Sequence, residues 1–183
     1  PHRWQPRLLP GAPRGGGPAP ALPVPPSSAT TPGNWGAKAH ENDDASDWLS
    51  GLEEEPDLGR IEQAFDQVLS VGPADYLEIT ECAEVVAAAT VLAKMHDLGF
   101  AADIVSDVCM AVLAKRAKRW SPKSRAALVQ RALLGLAAVQ SPERSELREL
   151  MMAQDAKLGA AWRRRMKALV RGLEAIHQRL ASA

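Results

Sequence analysis

The chain is organised around the segment Trp35-Gly36-Ala37-Lys38-Ala39-His40-Glu41-Asn42-Asp43-Asp44-Ala45-Ser46-Asp47-Trp48-Leu49. Apolar residues recur within and just after it at the spacing of one helix face, at Ala45, Trp48, Leu49 and Leu52. Asp43 or Asp44 is expected to cap this helix, because a short side-chain oxygen accepts bonds from the free N–H groups of the first turn. The segment therefore predicts a loop that enters a short helix, with Trp35 and Trp48 anchoring the loop against the rest of the fold.

The sequence after this segment alternates helical apolar patterns with Pro and Gly breaks. Further helices are expected from Leu58 to the break at Gly72-Pro73 and over residues 75–97, 101–118, 122–139, 142–157 and 160–181. Ser-Pro pairs at 121–122 and 141–142 predict two of the starts, since Ser caps and Pro fits the first helical position. The pattern at 75–97 is the longest and is apolar on most sides, so we expect it to be the central helix. The predicted fold class is all-α, a single-domain bundle of six to seven helices.

The first 33 residues have a different composition from the remainder. They hold ten of the fourteen prolines, together with Gly15-Gly16-Gly17. Such a stretch lacks the backbone donors and the apolar content that a packed element needs. We therefore predict a disordered tail over residues 1–33 and a helical domain over residues 34–183. We expect no signal peptide in the tail, because it has no unbroken apolar run of about 7–15 residues.

Charge is unevenly distributed along a chain whose net charge is zero. Residues 34–113 carry seventeen acidic and three basic side chains, giving −14, whereas residues 114–183 carry sixteen basic and five acidic ones, giving +11. Opposite charges of this size predict either attraction within one fold or two surfaces with different partners.

The two cysteines, Cys82 and Cys109, lie within apolar helical patterns and lack the spacing of a metal or redox motif. We expect both to be small buried thiols, which fits a reducing, cytoplasmic location. No run approaches the roughly 20 apolar residues of a membrane helix.

The opening segment resembles an uncharacterised bacterial helical family, a domain of unknown function that begins with the motif W-G-x(5)-N-D-x-A-x-D-W-L. The motif residues in this chain are Trp35, Gly36, Asn42, Asp43, Asp47 and Trp48. The resemblance continues through Tyr76-Leu77-Glu78 and Ser145-Glu146-Leu147-Arg148-Glu149-Leu150, and so covers roughly residues 35–180. It implies a helical fold and names no activity.

A divalent metal site is one chemical hypothesis for the carboxylates. The candidate ligands are Asp43, Asp44, Asp47, Glu78, Glu81 and Glu84. The three Glu residues follow one another at i, i+3 and i+6, and hard oxygen ligands suit Mg²⁺ or Mn²⁺. The alternative interpretation is structural: these carboxylates favour the N-terminal end of a helix and pair with the basic half of the chain.

No complete catalytic constellation occurs in the sequence. We therefore expect no enzyme activity and favour a cytoplasmic domain that binds another protein without a cofactor. The alternative is a metal-dependent hydrolase of a phosphorylated small molecule. A nucleic-acid-binding module is a third hypothesis, based on basic clusters at residues 115–119 and 163–165, and the −14 region argues against it.

Overall fold

Helices account for the secondary structure of the computed structural model, which describes Gly36, Lys38 and residues 41–96 and 104–183. Seven helices lie in these ranges: α1 (Asp43–Glu54), α2 (Leu58–Ser70), α3 (Ile79–Lys94), α4 (Asp107–Ala117), α5 (Pro122–Val139), α6 (Glu146–Ala153) and α7 (Ala156–Ala181). The all-α prediction of six to seven helices is thus confirmed for the described residues, which belong to one compact unit. The predicted tail at 1–33 and the predicted anchor Trp35 lie outside the described residues.

Helix α3 is the centre of the bundle. Eleven consecutive or near-consecutive residues between Cys82 and Ala93 are buried, and α3 packs against α1, α2, α5, α6 and α7. This confirms the prediction of a central helix. Small Ala and Val side chains on every side allow five neighbours to approach closely, which a helix with one apolar stripe does not permit. Cys82 and Cys109 are both buried free thiols, as expected.

The predicted start of the central helix at residue 75 is wrong, because α3 begins at Ile79. The preceding residues pair with a distant segment instead. Leu77 N–H donates to Arg144 O at 2.7 Å, and Glu146 N–H donates to Leu77 O at 3.1 Å. These two bonds form an isolated parallel bridge between Leu77 and Ser145. Backbone groups used in this way are not available for a helical turn.

The same bridge places two of the motif stretches named above beside each other. Tyr76 Oη donates to Glu149 Oε2 at 2.9 Å, and Ile79 N–H donates to Glu146 Oε2 at 2.9 Å. The hydrogen bond to the Glu149 carboxylate raises the pKa of Tyr76 to about 12. Glu146 thus satisfies a free N–H group at the start of α3, a role that the Glu78 side chain does not take. These bonds give both stretches a structural role.

The C-terminal third also differs from the predicted bounds of 142–157 and 160–181. Ser145 caps α6 by accepting from Arg148 N–H, and Asp155 caps α7 by accepting from Lys157 and Leu158 N–H. The Ser141-Pro142 start is wrong, because residues 142–144 form turns that bring Ser145 to its bridge with Leu77. Helix α7 then runs for 26 residues, so it replaces the predicted 75–97 helix as the longest described helix.

Helix α4 begins at Asp107, later than the predicted residue 101, and residues 97–103 lie outside the described ranges. Ser106 caps it by accepting from Cys109 N–H at 3.2 Å. The Glu53 carboxylate accepts from both the N–H and the hydroxyl group of Ser106, which connects the end of α1 to the start of α4. Of the helices that the structure describes, none has the length and apolar character required to cross a membrane.

Candidate functional site

Asn42 is the residue that caps α1. Its side chain accepts from Ala45 N–H at 3.2 Å, and its backbone is extended while the next residue is already helical. The prediction that Asp43 or Asp44 caps the helix is therefore wrong by one or two positions. Both Asp residues lie in the first turn, where the positive end of the helix dipole favours a carboxylate.

The loop before this cap is closed by Glu41. Its carboxylate accepts from Lys38 N–H at 2.9 Å and lies 3.6 Å from Lys38 Nζ. Gly36 N–H donates to Glu41 O at 3.3 Å, and a Cβ atom at position 36 would lie only 1.8 Å from Glu41 Oε2. Lack of space therefore explains the motif glycine, since a side chain at position 36 would force the Glu41 side chain to move.

Trp48 is the apolar anchor of α1, as predicted, with 5% of its surface exposed. The Arg60 guanidinium from α2 lies over its ring, 5.8 Å from the ring centroid. Gly51 makes room for this stacking, because a methyl group at position 51 would lie 2.5 Å from Arg60 Nη2. A glycine inside a helix costs about 1 kcal/mol relative to alanine. The contact with Arg60 gives a physical reason for that cost.

A polar pocket of about 220 Å³ lies beside this stack, between α1, α2 and α3. We call it the Arg60 pocket, and it is lined by Trp48, Arg60, Gln63, Ala64, Gln67 and Glu84. Arg60 Nε is buried, and no acceptor among the described residues lies within hydrogen-bond distance of it. A buried donor without an acceptor is costly, so the position of Arg60 over Trp48 carries an energetic cost.

Glu84 has the most perturbed carboxylate of the α3 candidates. Burial raises its pKa, the Arg60 charge opposes this, and the nearby Glu81 and Asp44 carboxylates raise it further. Glu81 Oε2 is buried and has no hydrogen-bond donor within the part of the chain that the structure describes. Three of the six candidate carboxylates, Asp44, Glu81 and Glu84, are thus close enough to interact electrostatically, and Arg60 acts on Glu84 as well.

The other three candidates, Asp43, Asp47 and Glu78, are exposed to solvent. Among residues 41–96 and 104–183, no group of three or more His, Cys, Asp or Glu side chains is placed to hold a metal ion. The arrangement therefore adds no support to the Mg²⁺ or Mn²⁺ hypothesis, which stays a prediction. The one candidate carboxylate that lines the Arg60 pocket, Glu84, shares it with a cation that the chain itself supplies.

The solvent side of α1 forms a second candidate feature. We call it the acidic face, and its exposed residues are Asp43, Ser46, Asp47, Ser50 and Glu54. They recur at i, i+3, i+4, i+7 and i+11, which places them on one side of the helix. No described Lys or Arg forms a salt bridge with its three carboxylates. The side chains between them are small, so the carboxylates are accessible to a partner.

The acidic residues in and beside α2 have a different environment. Arg131 Nη1 lies 3.1 Å from Glu62 Oε1, and its Nη2 bonds to Asp66. Arg116 Nη1 lies 3.1 Å from Asp57 Oδ1. All three pairs join the acidic region to the basic region, which supports the prediction that opposite charges attract within the fold.

The sequence pattern missed Arg60, Gln63 and Gln67. The spacing pattern indicated carboxylates and did not indicate the Arg60 cation that lines the pocket. One signal was present: Arg60 is the sole Lys or Arg between Lys38 and Lys94 in the sequence. A lone cation among many acids is a candidate for a specific pairing. The two Gln residues carry no comparable signal, since polar residues at helical spacing are ordinary on a surface.

The basic clusters are only partly available for another molecule. Arg116 is held by Asp57, and Arg163 Nη1 lies 3.3 Å from Met152 Sδ. Lys118, Arg119 and Arg164 are exposed. The nucleic-acid hypothesis stays a prediction.

The chain belongs to the family described as Domain of unknown function (DUF4259), whose model matches residues 33–165. This confirms that the chain is a member of an uncharacterised family, and the match begins within two residues of the expected start at Trp35. The match ends before the last part of α7, which the expected coverage to residue 180 had included. No match was found among curated proteins or among solved structures.

Proposed function

We propose that this domain is a non-enzymatic, cytoplasmic module that binds another protein, and that the acidic face of α1 is its docking surface for a basic segment. The observation that carries the proposal is the absence of salt bridges between the carboxylates of this face and any described Lys or Arg. Acidic residues in α2, by contrast, are engaged by arginine side chains. The two free thiols, Cys82 and Cys109, support a reducing location.

The position of the carboxylates along α1 gives a second argument. Asp43 lies at the N-terminal end, where the helix dipole stabilises it, but Glu54 lies in the last turn, where the dipole favours cations. That last turn has no basic residue. Residues that act against helix stability without a structural partner are commonly retained for function. A Lys or Arg side chain of a partner would offset the unfavourable interaction between Glu54 and the negative end of the helix dipole.

The binding mode that follows is electrostatic docking across a helix about 18 Å long, as 12 residues at about 1.5 Å each. Complementary charge speeds association and loses its effect as salt is added. The small side chains of Ser46 and Ser50 leave room for long basic side chains to lie between the carboxylates. We therefore expect a partner segment with several Lys or Arg residues spread over three helical turns.

A peptide of about ten residues that contains four Lys and Arg residues provides the first test. Its dissociation constant is measured by calorimetry at low and at physiological salt. The triple variant Asp43→Asn, Asp47→Asn, Glu54→Gln is expected to weaken binding at least tenfold. The matched control Asp75→Asn, Glu143→Gln, Glu174→Gln removes three exposed charges elsewhere and is expected to keep the affinity. Equal loss in both variants would show general charge attraction and would overturn the proposal.

A photo-crosslinking side chain at Ser50 provides the second test, in cells that produce the full chain. Gln178, exposed on α7, is the control position. We expect a protein crosslinked at position 50, absent at position 178, and lost when the three carboxylates of the acidic face are neutralised. A product that persists in the neutralised variant would contradict docking through this face.

A further inference from the structure

We infer that a second site, separate from the acidic face and the Arg60 pocket, binds a small organic carboxylate with an apolar body of about the size of one ring. The site is a cavity of about 150 Å³ between the end of α3, the end of α4 and the start of α5. It shares no lining residue with the Arg60 pocket or the acidic face. The inference is therefore independent of the proposed function.

The cavity wall is mainly apolar. Leu92, Leu128 and Trp120 contribute to it, together with alanine side chains from α4. An apolar cavity of about 150 Å³ is large enough to bind benzene in a protein interior. Such a space favours a compact apolar group and offers little to a sugar or a free phosphate, which need several polar partners.

The polar lining includes two cations, Lys118 and Arg125. Lys118, Arg125 and His96 line the same cavity, and no Asp or Glu is among the lining residues that the structure describes. Neither Lys118 nor Arg125 forms a salt bridge with a described residue. An anionic group at the rim would have two cations within the same site, while an ammonium group would be repelled. Charge therefore selects a carboxylate over a neutral or positive head group.

Arg125 adds an observation of a different kind. Its Nε atom is buried, and no acceptor in the described part of the chain lies within hydrogen-bond distance. A buried donor that lacks its hydrogen bond is destabilising, and a charged acceptor compensates best. Arg125 also lines the cavity, so a carboxylate whose apolar body fills the cavity lies beside the Arg125 cation. The volume of the cavity, its apolar wall and the two cations Lys118 and Arg125 thus agree on the same class of ligand.

Benzoate is the probe for the experiment, and benzamide is its neutral counterpart of nearly the same shape. Calorimetry and thermal denaturation are run on the full chain. We expect benzoate to bind saturably and to raise the Tm, because a ligand of the native state stabilises it by mass action. Benzamide is expected to bind at least tenfold more weakly. Equal effects of the two compounds, or no effect of benzoate, would overturn the inference.

Two variants separate charge from volume. Arg125→Gln is expected to weaken benzoate binding at least tenfold, and Lys123→Gln, which removes an exposed charge from the same helical turn, is expected to leave binding unchanged. Ala117→Leu reduces the cavity from the α4 side and is expected to abolish binding while the native Tm is retained. Should Ala117→Leu alter the fold, Arg125→Gln with its Lys123→Gln control still decides the question. Benzoate binding that survives Arg125→Gln would overturn the inference.

Discussion

Helices α1 and α2 are both acidic, yet their carboxylates are used differently. The carboxylates of α2 are bonded to Arg131, which comes from the basic half of the chain. The outer carboxylates of α1 are exposed and form no salt bridge with a described Lys or Arg. The same composition therefore serves two purposes: one helix uses its charge to close the fold, and the other presents its charge outward.

Packing explains why the two helices differ. Helix α2 lies against α5, which carries Arg131, so a basic side chain is within reach of its acids. Helix α1 packs chiefly on α3, whose surface consists of small apolar side chains. Apolar contacts hold α1, and its charge remains available. Variants of Trp48 and Arg131 should therefore distinguish burial from ion pairing as the interaction that holds each helix.

The largest effect is expected from Trp48→Ala. Trp48 is 5% exposed and is the bulkiest of the buried side chains of α1. Removing a buried tryptophan leaves a cavity and typically costs about 3–5 kcal/mol. The free energy of unfolding, measured by urea denaturation, should fall by an amount in this range. Trp48→Phe should cost much less, and a loss below about 1 kcal/mol in the alanine variant would show that α1 is held in another way.

The cap of α1 should give an intermediate effect. Asn42→Ala removes the side-chain oxygen that accepts from Ala45 N–H and should cost about 1 kcal/mol. Asp43→Asn keeps the side-chain size, removes a charge from the first turn and should cost a few tenths of a kcal/mol through the dipole. The two variants are compared in the same denaturation experiment. A larger loss in Asp43→Asn would show that the charge in the first turn contributes more to stability than the Asn42 cap.

That near miss shows what the sequence pattern can and cannot decide. Local chemistry identified the presence of a cap, since Asn and Asp both have a suitable oxygen, but it did not fix which residue adopts the extended backbone. The helix periods at Trp48 and within α3 were readable because burial follows a helical repeat. The late start of α3 could not be predicted from the sequence, because it depends on backbone hydrogen bonds between Leu77 and the segment around Ser145. A local sequence pattern does not indicate contacts between residues that are far apart in the chain.

The Arg60 pocket is a second feature that a local sequence pattern could predict only in part. Glu81 and Glu84 were recognised as candidates because they share a helix and a spacing. The position of Glu84 beside Arg60 depends on the packing of α2 against α3, and the space for Arg60 depends on Gly51 of α1. Three helices therefore contribute to one pocket, and only the contribution of α3 forms a pattern within a short stretch.

The direct test of ion pairing compares Arg131→Gln with Asp47→Asn. Arg131 contacts two carboxylates and is partly buried, so its loss should cost up to about 1 kcal/mol. Asp47→Asn should leave stability unchanged or slightly higher, since Asp47 is exposed and forms no salt bridge with a described residue. Added salt should reduce the difference between the parent and Arg131→Gln by screening the pairs. If instead Asp47→Asn is the more damaging change, the contrast between the two helices is wrong.

The smallest effect has the opposite sign and concerns Glu84→Gln. Burial raises the pKa of the Glu84 carboxyl, and the Arg60 charge only partly opposes this. In the pH window between the unfolded value of about 4.3 and the higher folded value, the folded chain binds more protons. Stability therefore falls as pH rises through that window, and ionised Glu84 lowers stability at neutral pH. Gln stays neutral and nearly matches the shape, so the variant should have a slightly higher Tm at pH 7.

The pH dependence distinguishes this explanation from a simple ion pair. The gain in Glu84→Gln should shrink as pH falls below about 4, where the parent residue is protonated in both the folded and the unfolded chain. Glu174→Gln is the control, because Glu174 is exposed in the middle of α7. A Tm that falls at pH 7 in Glu84→Gln would mean that its attraction to Arg60 outweighs burial. The pocket would then be a structural pair, and Arg60 would belong with Arg131 as a cation that closes the fold. A rise would instead show that the bundle tolerates a destabilising charge beside Arg60, which is the pattern expected of a residue kept for binding.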